Sequence, residues 1–189
     1  TAKDYEKALH IYKQLKDKAA SMERRQLAKT GMLRSAHMLG NEEEIIFTAT
    51  DLLADTKLAP ELSNEAHYYR AKAYLDAGKT DGAMEDLKIL AKDTRNVYGA
   101  EAKYKVAQIY FDGGQTDKAE QEVLNYIEVS TPHTYWLARS FVLLADVYMK
   151  SGRNLDAKQY LLSLKQNYQA DDDIAGMIES RLEKLKTEN

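Results

Sequence analysis

Residues 101–126 read EAKYKVAQIYFDGGQTDKAEQEVLNY, and the rest of the chain is organised around this stretch. Ala107, Tyr110, Gly114 and Ala119 mark fixed positions in it, and the same residue types recur as Ala71, Tyr74, Gly78, Ala83 and as Ala145, Tyr148, Gly152, Ala157. One helix–turn–helix unit is therefore repeated along the chain. The step of three from alanine to tyrosine places a small and a large residue on one helical face. The small residue admits a second helix closely and the ring fills the space beside it, as ridge-into-groove packing at about 8–10 Å requires. Each glycine follows its tyrosine by four and suits the left-handed residue that ends a helix. Thr80, Thr116 and Asn154 come two residues later, where side-chain oxygens are expected to cap the next helix.

Composition bounds the reading. With 189 residues, 44% hydrophobic and 30% charged, the chain is long enough for one sizeable domain or a short solenoid. Two prolines, nine glycines and little alternation of β-branched residues favour helix. A net charge of −3 gives no bulk attraction to nucleic acid or an anionic membrane surface. The absence of cysteine excludes disulfides, thiolate metal sites and cysteine nucleophiles. No apolar run is long enough to span a bilayer, and the chain opens on Thr1, so any signal or anchor is expected outside this sequence.

Residues 1–20 read as the second helix of a unit whose first helix is missing, with Tyr5, Ala8, Tyr12 and Leu15 at helical spacing. Ala8, Ile45, Ala83, Ala119 and Ala157 share one register position, at steps of 37, 38, 36 and 38. Such a series reads as a piece of a longer array. Residues 21–58 form the first whole and least regular unit: Leu33 and Ala36 stand where alanine and tyrosine are expected, a trade of large for small that conserves volume. Its turn reads as one residue shorter, with Asn41 and Glu44 in a capping-box pattern. Gly31 inside its first helix is unfavourable by about 1 kcal/mol relative to alanine, with no reason visible in the sequence.

Further units are expected over 59–98, 99–132 and 133–170, with 171–189 as a terminal capping helix. Pro60 marks one boundary, Tyr98-Gly99 connects into the next unit, and Thr131-Pro132 is expected to stop that unit's second helix. After the run Asp171-Asp172-Asp173, the residues Ile174, Met177, Ile178, Leu182 and Leu185 form one apolar flank, suited to closing the last open core edge.

The small-x-x-aromatic, glycine and alanine positions quoted above resemble the tetratricopeptide repeat family over nearly the whole chain. The period of 36 to 38 exceeds that family's usual value of about 34. The resemblance implies an all-α, right-handed superhelical solenoid of antiparallel helix pairs, about ten helices in all, treated as a single domain. The segments TPHTYWLARSFVLLADVY and KQNYQADDDI further resemble the C-terminal part of large cell-envelope repeat proteins of the Bacteroidota. That likeness implies the periplasm or envelope of a Gram-negative bacterium.

In this family the first helices line a concave face that holds a partner protein or peptide. By the repeat phase, the inward positions are Glu65, Tyr68, Lys72 and Leu75 in one unit, Glu101, Tyr104, Gln108 and Phe111 in the next, and Arg139, Val142, Asp146 and Met149 in the last. The expected partner-binding residues are Tyr68, Lys72, Tyr104, Gln108, Phe111, Arg139, Asp146 and Met149. Tyr68, Tyr104 and Phe111 offer stacking area, and Lys72 and Arg139 are placed to meet a carboxylate. This requires Tyr104 and Phe111 to face outward rather than lie between helices. The bland alternative is that the tyrosines cover neighbouring helices with their hydroxyls in water. The clamp that some members use for chaperone tails is incomplete here, with Tyr68, Lys72, Lys105, Arg139 and Leu143 at its sites.

No other constellation carries chemistry. His10, His37, His67 and His133 lie in different units without an i, i+4 pair, so no metal site is expected. No phosphate loop, nucleophile elbow or paired catalytic carboxylate is present, and Gly113-Gly114 belongs to a turn. Glu42-Glu43-Glu44 and Asp171 to Asp173 read as helix-start charges. Trp136 reads as a staple between helices, and His133 as exposed loop. The sequence thus points to a non-enzymatic interaction scaffold without a cofactor. The alternative is an assembly element that packs against further repeats or a second copy.

Overall fold

The computed structural model describes residues 1–187. Among them lie ten α-helices and no strand: α1 (Ala2–Lys18), α2 (Met22–Leu39), α3 (Glu42–Leu53), α4 (Pro60–Asp76), α5 (Thr80–Leu90), α6 (Val97–Asp112), α7 (Thr116–Ile127), α8 (Thr134–Lys150), α9 (Asn154–Asn167) and α10 (Ile174–Thr187). They group into two compact units, Thr1–Leu90 and Ala91–Asn189. In the first, α2/α3 and α4/α5 are antiparallel hairpins, α1 packs along α2, and α3 packs against α4. In the second, α6/α7 and α8/α9 are hairpins, α8 packs on α6 and α7, and α10 closes against α8 and α9.

One turn makes all four hairpins. Gly40, Gly78, Gly114 and Gly152 adopt φ of 64°, 70°, 73° and 73°, the left-handed region that favours glycine. The residue after each glycine donates its N–H back across the turn: Lys79 to the Tyr74 carbonyl (2.7 Å), Gln115 to Tyr110 (2.8 Å), Arg153 to Tyr148 (2.8 Å) and Asn41 to Ala36 (3.0 Å). Each glycine N–H bonds one carbonyl further on, which completes a Schellman closure. The motif tyrosine therefore supplies a backbone acceptor as well as a ring, and Ala36 serves in its place in the first hairpin.

This closure corrects the expected caps. The next helix begins two residues after every glycine, so the first hairpin's turn is no shorter than the others. Thr80, Thr116 and Asn154 are first helical residues rather than caps, and the cap positions of α7 and α9 are Gln115 and Arg153, without side-chain cap bonds. Asn41 does cap, its Oδ1 accepting the Glu44 N–H at 3.0 Å. The Glu44 carboxylate does not return to Asn41. It binds Lys13 Nζ (2.6 Å) and accepts from Thr48 Oγ1 (3.3 Å), tying α1 to α3.

Two further boundaries differ from expectation. Helix α7 ends at Ile127, upstream of Thr131-Pro132, because Glu128 and Val129 already turn back onto Leu124 and Tyr126. Thr131 Oγ1 instead donates to the Thr94 carbonyl at 2.8 Å. Tyr98-Gly99 lies inside α6, which Asn96 caps by accepting the Gly99 N–H at 2.8 Å. Gly31 also finds its reason: a Cβ there would stand 2.5 Å from the ring of Tyr12, so glycine lets α1 lie close on α2.

Each unit has its own core. In the first, Leu33, Ala36, Ile45, Ala49, Leu52, Ala66 and Ala73 form it. In the second, the core runs from Tyr104 and Ala107 through Leu143, Leu144, Tyr148 and Leu161 to Ile174, Ile178 and Leu182 of the capping helix.

Candidate functional site: the first-helix face

The first helices, α2 and α4 in one unit and α6 and α8 in the other, carry the positions expected to face a partner. In the second unit six of the eight expected residues come together: Tyr104, Gln108 and Phe111 on α6, and Arg139, Asp146 and Met149 on α8. Tyr68 and Lys72 lie on α4 of the first unit.

In the second unit these side chains bind one another. The Tyr104 hydroxyl donates to Gln108 Oε1 (2.9 Å) and accepts from Arg139 Nη2 (3.0 Å), and Gln108 Nε2 passes the chain on to Asp112 Oδ1 (2.8 Å). The Arg139 guanidinium also lies 5.0 Å over the Tyr104 ring. Its Nη1 donates to the Tyr135 hydroxyl (3.1 Å) and reaches Asp173 Oδ2 (3.4 Å). Asp146 accepts both arms of Arg181 from α10, at 2.9 and 2.8 Å, in the bidentate geometry that makes such pairs strong. Lys150 caps the Phe111 ring at 4.8 Å. The Arg139–Tyr104, Lys150–Phe111 and Arg181–Asp146 contacts each join one first-type helix to the next.

The expectation of an open Tyr104 is therefore corrected. Its ring is only 8% exposed, held between α6 and α8 with Trp136 at 5.6 Å. Trp136 meets Tyr135 edge-on at 5.0 Å as well, the stapling role expected of it. Phe111 and Met149 are half-buried against the core, and Arg139 has already met its acceptors within the fold. Sequence reasoning missed Tyr135, Lys150, Asp173 and Arg181 as members of this face. The signal available was register: Lys150 stands 38 residues after Asp112, one position past the expected inward set.

The first unit repeats the pattern. Glu65, an expected inward residue, is buried and takes Arg34 of α2 in a fork of 2.7 and 2.8 Å. Lys72 Nζ lies 5.7 Å over the Tyr68 ring, and Tyr68 meets Tyr69 at 5.8 Å. Tyr69 stacks on His37 at 4.1 Å. Burial pushes the His37 imidazole below its usual range, and the nearby Lys72 charge adds to this.

Behind this face, α4 and α5 enclose a charged cluster. Asp86, 1% exposed, accepts Arg70 Nε (2.8 Å) and Nη2 (2.7 Å) and pairs with His67 Nδ1 (2.7 Å). Arg70 Nη1 continues to Thr50 Oγ1 of α3 at 2.9 Å. Burial alone would raise the Asp86 carboxyl, but the Arg70 and His67 hydrogen bonds more than offset it and hold it below the usual carboxylate range. Among the described residues no group of three His, Cys, Asp or Glu side chains is placed to hold a metal ion.

With this geometry in hand, residues 65–93 match the family model of the tetratricopeptide repeat. Two solved structures of nearly identical TPR-like repeats from Podosopora anserina, from a protein described as a kinesin light chain, share the fold: one of them a point variant, each 19% identical with a TM-score of 0.61. The superposition with the variant covers 86% of this chain and 85% of that one; with the other structure it covers 86% of both. The fold is that of tetratricopeptide-like repeats. No curated protein sequence matches the chain.

Proposed function

We propose that this chain is a non-enzymatic scaffold whose first-helix face binds a segment of a partner protein, the general role of tetratricopeptide repeats. The single observation that supports it most is the concentration of aromatic and charged groups on α6 and α8 of the second unit. Arg139 and Tyr104 set the shape of that face. Phe111, Lys150, Gln108, Asp146 and Met149 supply its half-exposed contacts, and Tyr68 and Lys72 form a separate candidate contact point on the first unit. Cation–π pairs and half-buried aromatic rings of this kind are the groups that dominate protein interfaces. The net charge of −3 disfavours nucleic acid as the partner. The likeness of residues 131–148 and 165–174 to Bacteroidota envelope proteins supports a periplasmic or envelope setting; no described helix is long and apolar enough to cross a membrane.

The test is affinity capture from cells of the source organism with the native chain and with the variant Phe111→Ala/Met149→Ala/Lys150→Glu. Those positions are half-buried or exposed, so the variant should keep its fold, as circular dichroism will check. Proteins lost only from the variant are the face's ligands, and their affinities for it should be at least tenfold weaker. Partners retained equally by both chains would remove the first-helix face as the binding surface.

A further inference from the structure

Phe47 on α3 breaks the repeat. In register its position holds His10, Glu85, Gln121 and Gln159 in the other second-type helices, α1, α5, α7 and α9, all of them exposed and polar. Phe47 is 60% exposed as well, so the aromatic ring at this position faces solvent. Glu43, Thr50, Asp51 and Ala54 share its face of α3 at helical spacing. With Ile46, Lys16 of α1 and Lys79 ahead of α5, they line a groove of about 800 Å³.

The place of α3 inside its unit and the order of the charges decide what fits this groove. Helix α1 reaches one side of α3 through Lys13–Glu44 at 2.6 Å and Lys16–Asp51 at 3.5 Å, and Lys79 stands on the other side. Further repeats stack on the ends of such a row and do not cover the outward side of an interior member. Two lysines and two carboxylates line the groove, so it has no net charge to draw a nucleic acid or an anionic membrane. Second-type helices run alike, so Lys79 at the head of α5 belongs with Glu43 at the N-terminal end of α3, and Lys16 near the end of α1 with Asp51 at the C-terminal end. Glu43 and Lys79 make no ion pair among the described residues. Asp51 gives Oδ1 to Lys29 at 2.9 Å, and its Oδ2 meets Lys16 at a distance longer than a charge-assisted hydrogen bond.

We infer that this groove is a contact between two copies of the chain, with α3 of each lying antiparallel on the other about a two-fold axis. The two Phe47 rings pack at the centre, Glu43 meets the second copy's Lys16, and Lys79 meets the second copy's Asp51. A two-fold contact requires a patch that is complementary to itself. This one is: each end holds one cation and one carboxylate, and turning the patch over brings opposite charges face to face. The surface lies on α3, so it does not rest on the first-helix face described above.

Sedimentation equilibrium of the native chain, run to about 1 mM, should show a monomer–dimer equilibrium with a dissociation constant on the order of 10–100 μM, as suits a small interface. Phe47→Gln installs the residue that the third and fourth hairpins already carry at this position, so the fold is kept, and it should weaken the dimer at least tenfold. Glu43→Lys/Lys79→Glu leaves composition and net charge unchanged but sets like charges against the second copy's Lys16 and Asp51, and should weaken the dimer as much. Leu155→Gln, at an exposed apolar residue on α9, should leave it unchanged. A chain that stays monomeric throughout, or a dimer indifferent to Phe47→Gln, overturns the inference. A dimer that survives the charge exchange overturns the antiparallel pairing.

Discussion

The α4/α5 hairpin and the α8/α9 hairpin share turn, length class and register, yet fill the same three positions with opposite chemistry. His67, Arg70 and Asp86 in the one correspond to Phe141, Leu144 and Tyr160 in the other. The first set is a hydrogen-bonded charge cluster with Asp86 buried, and the second an aromatic and aliphatic contact with Leu144 fully buried. The backbone tolerates both because the hairpin is specified elsewhere, by the small residue, the tyrosine and the left-handed glycine. The charge cluster is therefore not needed to build a hairpin. What it adds is the arm of Arg70 that reaches Thr50 on α3, a directional link between hairpins that an apolar trio lacks.

Breaking the cluster should have the largest effect. Asp86→Ala takes the buried carboxylate away from the half-buried Arg70 guanidinium and His67 and is expected to destabilise the first unit by about 3 kcal/mol, read by urea unfolding. A loss below about 1 kcal/mol would mean that the cluster is solvated in solution. The same carboxylate sets an acid limit. Its folded value lies below 3.8, so its stabilisation is full above that pH and disappears as pH falls through the folded value. Native protein should therefore lose stability below about pH 4, more steeply than Asp86→Asn does.

Exchanging the chemistry sharpens the comparison. The triple variant His67→Phe/Arg70→Leu/Asp86→Tyr gives the second hairpin the fourth's filling and should be neutral or more stable, by up to about 3 kcal/mol, since apolar replacements of buried ion clusters often are. A loss comparable to that of Asp86→Ala would show that the two hairpins differ in shape at these positions, not only in chemistry.

The smallest effects belong to the turns. Asn41→Ala in the first hairpin removes a side-chain cap and should be unfavourable by about 1 kcal/mol. Asn154→Ala in the fourth should be no worse than neutral, because its buried Oδ1 has no hydrogen-bond partner. Equal losses at the two asparagines, measured by thermal unfolding, would contradict the assigned turn geometry.

The hairpins were legible in the sequence because the features that build them act over a few residues. Alanine and tyrosine three apart, and glycine four beyond, fix a helix face and a left-handed turn through backbone sterics alone. The caps were misplaced by one residue because the closure bond from the residue after the glycine to the tyrosine carbonyl is a geometric event that residue types do not announce. Helix α7 likewise stops before Pro132 although the proline is the louder signal.

The candidate face was half legible. Register placed Tyr104, Gln108, Phe111, Arg139, Asp146 and Met149 on one wall, and they do lie together. Whether each was open to a partner depended on reach: Arg139 finds Tyr104 across 35 residues, and Arg181 finds Asp146 across 35. Long flexible side chains choose partners from whatever the neighbouring helix presents, and no spacing along one helix encodes that choice.

By itself the sequence determined a repeated helical hairpin and its register. The tertiary structure alone decided which inward groups are spent on neighbouring helices. The physical reason is that local sterics are written into adjacent residues, whereas burial and charge pairing are settled only when separate helices are brought face to face.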